Sequence, residues 1–206
     1  MNFLTALLYD AFMSPVEKAC LDRWRKNLLS DVRGNVLEIG AGTGANLPYY
    51  SEKVNRLLLM EPDAGMRRQL EAKVSNGNGH PATIAFGTAE KIDAEDAVFD
   101  AVTSSLVFCS VSHLETALLE AKRVLKKGGK FVFLEHVAAK RGTTRRKWQN
   151  RTTPLWRAIA GNCHLNRDTE KAILAAGFSV VEIKRENLQT IVPLVKPTIR
   201  GIAIKP

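Results

Sequence analysis

The stretch Val36-Leu37-Glu38-Ile39-Gly40-Ala41-Gly42-Thr43-Gly44 limits most tightly how this chain can fold. An apolar, β-branched run ends in three glycines spaced two apart, and a polar segment follows. This reads as a buried strand entering a tight loop, with a helix beginning near Ala45 to Pro48. Glycine is needed where the backbone turns sharply or approaches a ligand with no Cβ in the way. The start of a following helix offers that ligand unpaired N–H groups. Gly40-x-Gly42-x-x-Ala45 also fits a dinucleotide fingerprint, and Glu61 lies about twenty residues on, where a ribose-binding acid is expected. On these residues alone, NAD and other nucleoside cofactors both remain open.

Downstream, strand and helix alternate. Residues 56–60 read as a second strand closed by Glu61-Pro62-Asp63. Glu61 can accept two hydrogen bonds from ribose hydroxyls, while Asp63 suits a helix cap. Met66 opens the next helix, either as core or against an adenine face. A turn-rich connection over 76–81 leads to a third strand at 83–86, which ends in Gly87-Thr88-Ala89-Glu90. A fourth strand follows at 99–106, and then a helix over 113–125 that Lys126-Lys127-Gly128-Gly129 stops. The fifth strand, 130–134, ends at Glu135-His136. A helix over 168–176, ended by Gly177, precedes two strands at 178–185 and 199–204 joined through Pro193 and Pro197. Such alternation implies an α/β fold with a parallel, doubly wound sheet. Ligands of such sheets sit at the carboxyl ends of the strands, so the loop residues just named are site candidates.

Before the glycine loop, residues 3–29 read as two helical pieces broken near Ser14-Pro15. Val16, Ala19, Cys20, Trp24 and Leu28 give the second piece one apolar face. That face packs on the domain, or the piece forms a lid over cofactor and acceptor. With 206 residues, 45% of them hydrophobic, the chain reads as one domain over 1–206, with 1–30 as a helical cap. No apolar run reaches the roughly eighteen residues of a membrane span. Phe3, Leu4, Leu7, Leu8 and Phe12 make the start apolar, but Asp10 interrupts it and no cleavage site follows, which argues against a signal peptide. Cys20, Cys109 and Cys163 are far apart in sequence and suggest neither a disulfide framework nor a zinc site, so a cytoplasmic location is expected. Cys109 reads as a small core hydrophobe, and Cys163-His164 lacks the further partners a metal would need.

The net charge of +9 is concentrated. Residues 137–167 contain no acid and eight basic residues, Lys140, Arg141, Arg145, Arg146, Lys147, Arg151, Arg157 and Arg167, interleaved with Trp148, Leu155, Trp156 and Ile159. One reading is a solvated helix whose aromatics pack inward. Another is peripheral contact with an anionic membrane. A nucleic-acid backbone is the minority reading, because no aromatic RNA-binding motif accompanies the charge.

The series Val36-Leu-Glu-Ile-Gly-Ala-Gly-Thr-Gly44, Glu61-Pro62, Gly87-Thr-Ala-Glu90, Phe99-Asp-Ala-Val102 and Leu125-Lys-Lys-Gly-Gly129 resembles class I S-adenosylmethionine-dependent methyltransferases over residues 36–135. The resemblance implies a Rossmann-like, seven-stranded, mostly parallel sheet with an antiparallel C-terminal strand. It implies S-adenosylmethionine as cofactor and S-adenosylhomocysteine as product. The cofactor-binding set would be Glu38, Gly40, Gly42, Thr43, Gly44, Asn46, Glu61, Pro62, Met66, Thr88, Ala89, Glu90 and Ser105. Glu61 would hold the ribose, and Thr88 and Ala89 would reach the adenine. Relatives often carry Asp or Asn where this chain has Thr88, whose hydroxyl can still accept.

A narrower resemblance rests on Leu106-Val-Phe-Cys-Ser-Val111, Leu134-Glu-His-Val-Ala-Ala139, Trp148-Gln149, Pro154-Leu-Trp156 and Gly161-Asn-Cys-His-Leu165. These are similar to the methyltransferase-like 7 family, within the methyltransferase type 11 group. That family is linked to methylation of alkyl thiols, and many bacterial relatives are labelled phospholipid or menaquinone-type methyltransferases. The resemblance implies a small-molecule or lipid acceptor, with 140–167 as an acceptor-side insertion. The sulfonium is already activated, so transfer needs chiefly alignment and exclusion of water. Glu135 and His136 are the best-placed acid/base pair, and a structural role is the alternative for both. A cofactor-binding protein without catalysis is the competing class.

Overall fold

The computed structural model describes residues 10–11, 13–190 and 192–206. The strands are β1 (Gly34–Ile39), β2 (Val54–Met60), β3 (Thr83–Ala85), β4 (Phe99–Ser105), β5 (Leu125–His136), β6 (Ser179–Asn187) and β7 (Pro197–Ile204). They form one sheet in the order β3-β2-β1-β4-β5-β7-β6. Pairing is parallel from β3 through β5, and β7 lies antiparallel between β5 and β6. The helices are α1 (Asp22–Leu29), α2 (Ala64–Ser75), α3 (Leu114–Val124), α4 (Thr144–Ile159) and α5 (Thr169–Ala175).

The central strands carry apolar residues on both faces because both faces are covered. Successive residues point to opposite sides, so Val36 and Leu37 enter different cores. On one side Ala117, Leu118, Ala121 and Val124, spaced along one face of α3, pack with Phe131, Phe133 and Phe178. On the other, Trp24, Leu28 and Leu29 of α1 pack with Val36, Leu59 and Val132. Each of these valines, leucines and phenylalanines contributes about 1.5–3 kcal/mol on full burial. The outer strand β6 has no fully buried residue and bears Glu182, Lys184, Arg185 and Glu186, charges that discourage pairing with another edge.

Four expectations need correction or limiting. No α-helix follows the glycine loop. The chain instead makes successive four-residue turns (Gly44 N–H to Ala41 O, Leu47 N–H to Gly44 O) and one 3-10 turn, Leu47–Tyr49. Pro48 and the short connection to β2 leave no room for more. Nor does Ser14-Pro15 break the N-terminal helix: residues 13–16 are helical and pass into a π-helical turn, Glu17–Leu21, which absorbs the irregularity after the proline. The expected first helical piece over 3–9, and Phe12, lie outside the described residues. Finally, Lys126 to Gly129 does not cap α3. β5 starts at fully buried Leu125, and the glycines bond to Lys205 beside the end of β7, so the segment bulges within the strand.

Candidate active site

The sheet order reverses between β1 and β4, and a doubly wound sheet opens a crevice at the carboxyl ends of such strands. Gly40 and Gly42 stand at the end of β1 with φ of 64° and 58°. A Cβ on Gly40 would lie 2.5 Å from Val107, so this glycine lets the loops after β1 and β4 close on each other. Gly42 differs: a Cβ there would meet only Met66 Sδ, at 3.9 Å. Its requirement is the positive φ, and the space above it is open.

That space is bordered by Glu61, 5% exposed at the end of β2. The Gly42 N–H donates to Glu61 Oε2 at 2.8 Å, and the Asp63 N–H donates to Oε1 at 2.8 Å. Each oxygen keeps a second lone pair for a ligand hydroxyl. Burial raises the Glu61 carboxyl above the usual range. Asp63 caps α2 through the N–H groups of Gly65 and Met66, as its position suggested. Met66 therefore lies beside Gly42, and Pro62 is exposed next to Glu61.

Beneath the loop lies a buried polar network. Asn46 Nδ2 donates to Glu38 Oε1 (2.8 Å) and to Ser105 Oγ (3.2 Å), so both its N–H donors are used within the protein. Arg25 donates to Asn46 Oδ1 and pairs with Glu17, which ties the N-terminal helices to the loop. Tyr50 OH bridges Glu38 Oε2 (2.8 Å) and Thr103 Oγ1 (2.7 Å). Burial pushes Glu38 up to about 7. Thr43 donates to Asp10, so the cap rests directly on the glycine loop while Leu21 and Trp24 fill the core below. This meets the packing reading of the cap. Sequence reasoning missed Glu17, Arg25, Tyr50 and Thr103 of this network; Arg25 and Tyr50 are a cation and a phenol inside otherwise apolar patterns.

In the loop after β3, Thr88 is exposed and Ala89 buried. Glu90 Oε1 accepts the N–H groups of Ser112 and His113 and so ties this loop to the segment just before α3.

At the end of β5, Glu135 and His136 are both buried but act separately. The Glu135 carboxylate accepts Ser104 Oγ–H, Val107 N–H and Cys109 N–H, bracing the turn after β4. His136 Nε2 lies 2.7 Å from Cys163 Sγ, and its Nδ1 is buried with no partner among the described residues. Cys109 joins them, with the three ligand-type atoms within 4.8 Å of one another. The Cys109 contact and burial raise the Cys163 thiol well above its usual range. The sequence had pointed to His164 as the neighbour of Cys163. His164 instead bonds Cys109 O, and the chain brings in His136 from another element.

Helix α4 covers this end. Thr143 caps it, and fully buried Gln149 accepts Ala139 N–H and donates to Val137 O and Leu194 O. Trp156 is half-buried, whereas Trp148, Leu155 and Ile159 are 53%, 70% and 72% exposed. The expected inward packing of the aromatics thus holds for Trp156 and fails for Trp148. Among the described residues no helix is long and apolar enough to cross a membrane.

Residues 37–133 match the family described as "Methyltransferase domain". The chain is 34% identical over 174 residues to Thiol S-methyltransferase TMT1A of Homo sapiens, covering 83% of this chain and 70% of that protein. It is 31% identical over 109 residues to Phosphatidylethanolamine N-methyltransferase of Cereibacter sphaeroides, covering 53% of this chain and 54% of that one. Among solved structures, geranyl diphosphate methyltransferase in complex with SAM superposes with a TM-score of 0.70 at 12% identity, covering 89% of this chain and 84% of the other. At that identity the likeness concerns the fold alone.

Proposed function

The chain belongs to the S-adenosylmethionine-dependent methyltransferases, and from that premise we propose that it methylates the sulfur of a small or lipophilic thiol. The observation that carries the thiol is the 34% identity, across 83% of this chain, to a relative named for that acceptor. The open cradle at Gly42 beside the buried Glu61 carboxylate suits a ribose with two hydroxyls. We assign Glu61 to the ribose, the backbone of Gly40 to Gly44 to the methionine end, and Thr88 and Ala89 to the adenine. Glu38, Asn46 and Ser105 support that loop from below. Glu90 is assigned to closing the neighbouring loop.

When bound, S-adenosylmethionine supplies a methyl group on a sulfonium. The acceptor sulfur gains the methyl and releases its proton, and the electron pair of the broken bond stays on the product S-adenosylhomocysteine. The protein's part is alignment and dryness. Glu135 positions the turn 107–109, and we place His136 on the acceptor wall with Cys163. The test is methyl transfer from labelled S-adenosylmethionine to a small alkyl thiol. Label on the thiol supports the reading, and bound cofactor with an unlabelled thiol overturns it.

A second reading has its own observation. Trp148, Leu155 and Ile159 recur along one stripe of α4, with Arg145 and Arg151 on its borders. That pattern fits peripheral contact with an anionic bilayer and a lipid-borne acceptor. Label in the phosphatidylethanolamine of anionic vesicles, and none on the thiol, would favour it over the first.

A further inference from the structure

We propose that Cys109, His136 and Cys163 form a binding site for one thiophilic divalent cation of the zinc class. The three side chains come from separate segments: the turn after β4, the end of β5 and the loop after α4. Their exposures are 1%, 4% and 9%, and their ligand atoms converge within 4.8 Å. Two sulfurs and an imidazole nitrogen are the donor set that zinc takes, with about 2.3 Å to sulfur and about 2.0–2.1 Å to nitrogen. Tetrahedral bonds of those lengths hold ligand atoms about 3.6 Å apart. Seating an ion therefore widens the 2.7 Å Nε2–Sγ contact and draws in the wider members of the cluster, a change within reach of side-chain rotation.

The alternative for each cysteine alone is a small hydrophobe in the core. That account leaves the 2.7 Å approach of a buried imidazole Nε2 to one of those thiols without a role, while Nδ1 carries the ring proton and lacks a partner among the described residues in either account. Charge favours the ion as well: two thiolates and one divalent cation sum to zero, which a buried site tolerates. The backbone is already tied around the cluster. Cys109 N–H is held by Glu135, Cys109 O accepts His164 N–H at 2.8 Å, and Cys163 N–H bonds Ala160 O at 3.1 Å. Restraint of ligands by their surroundings is characteristic of metal centres.

Three protein ligands leave one tetrahedral position for water or an exogenous sulfur, the pattern of centres that act on a ligand rather than merely hold a fold. The acceptor thiol is the natural occupant. That last step rests on the thiol reading, and ion binding does not.

The experiment is titration of the reduced, chelator-treated protein with Co2+ and Zn2+. One equivalent of Co2+ giving a thiolate charge-transfer band, displaced by Zn2+, is expected, together with a rise in Tm on adding Zn2+. Cys163→Ser and His136→Gln should weaken Zn2+ binding by more than the roughly 10–100-fold of an outer-shell change. A folded wild-type protein with no charge-transfer band and no Tm rise overturns the site. So does a Cys109–Cys163 disulfide that, once reduced, still takes up no ion. Adding an alkyl thiol to the Co2+ form should shift the band. An unshifted band removes the acceptor step while the ion site stands, and methyl transfer measured separately shows whether the thiol reading itself has failed.

Discussion

The two ends of the crevice are built on different plans. At the β1–β2 end the groups assigned above to the cofactor are backbone and one carboxylate, set by a contiguous glycine run and by the acid that closes the next strand. At the β5 end the groups converge from three distant segments, and their neighbours are other side chains. The first plan suits a cofactor that never changes, since backbone N–H groups tolerate most changes around them. The second suits an acceptor pocket, where changing a side chain changes the ligand without disturbing the sheet.

The sharpest way to break this contrast is Glu61→Ala. A hydrogen bond to a charged group is worth about 1.5–3 kcal/mol, and a ribose takes two. The Kd for S-adenosylmethionine should rise by roughly 100-fold or more in calorimetry, while circular dichroism stays native and Glu61→Gln falls between. An unchanged Kd would remove the ribose assignment.

Next in size is a pH effect from beneath the same loop. Glu38 keeps its proton up to about 7 in the folded protein, against 4.5 ordinarily. Between those values folding takes up a proton, so this group's contribution to stability is greatest below about 4.5, falls as pH rises towards 7, and is level above it. The fall amounts to about 3 kcal/mol. In Glu38→Gln the amide donates to Tyr50 OH, which can turn to donate to Thr103, so the network survives. Denaturant midpoints of this variant should be flatter across the window. An equally steep decline would place the pH dependence elsewhere.

Gly42→Ala tests the cradle with a smaller effect. The positive φ costs about 1–2 kcal/mol for any residue with a Cβ. The added methyl meets little protein, only Met66 Sδ at 3.9 Å, so it enters the space assigned to the cofactor. Loss of S-adenosylmethionine affinity beyond the loss of stability is expected. Equal losses would mean that the space serves no ligand.

Legibility in the sequence follows the same division. The sheet could be read because buried parallel strands are written as apolar runs, and Val36 to Ile39 or Ala101 to Ser104 have no other stable use. Asp63 could be read because capping is local. The missing helix after Gly44 could not, because loop length outweighed a favourable start. Nothing within the Gly87-Thr88-Ala89-Glu90 run shows that Glu90 also holds the N–H groups of Ser112 and His113, far along the chain. The Cys109–His136–Cys163 cluster was hidden for a stronger reason. His164 adjoins Cys163 in sequence, and only the fold shows that His136 is the neighbour in space.

The smallest expected effect concerns α4, where the acceptor end meets solvent. Trp148 is half exposed and contributes no hydrogen bond of its indole to the core, so Trp148→Ser should change stability by no more than about 0.5 kcal/mol. If the stripe with Leu155 and Ile159 rests on a bilayer, the same change removes about 1 kcal/mol of apolar burial there. Partition onto phosphatidylserine-containing vesicles should then fall about fivefold, and the residual binding should weaken with salt because Arg145 and Arg151 border the stripe. Thiol methylation in vesicle-free solution should be unaffected. Vesicle binding that is absent from the wild type, or insensitive to this substitution, would leave α4 as a solvated wall of the acceptor pocket. The contrast between the two ends would then lie wholly inside the protein.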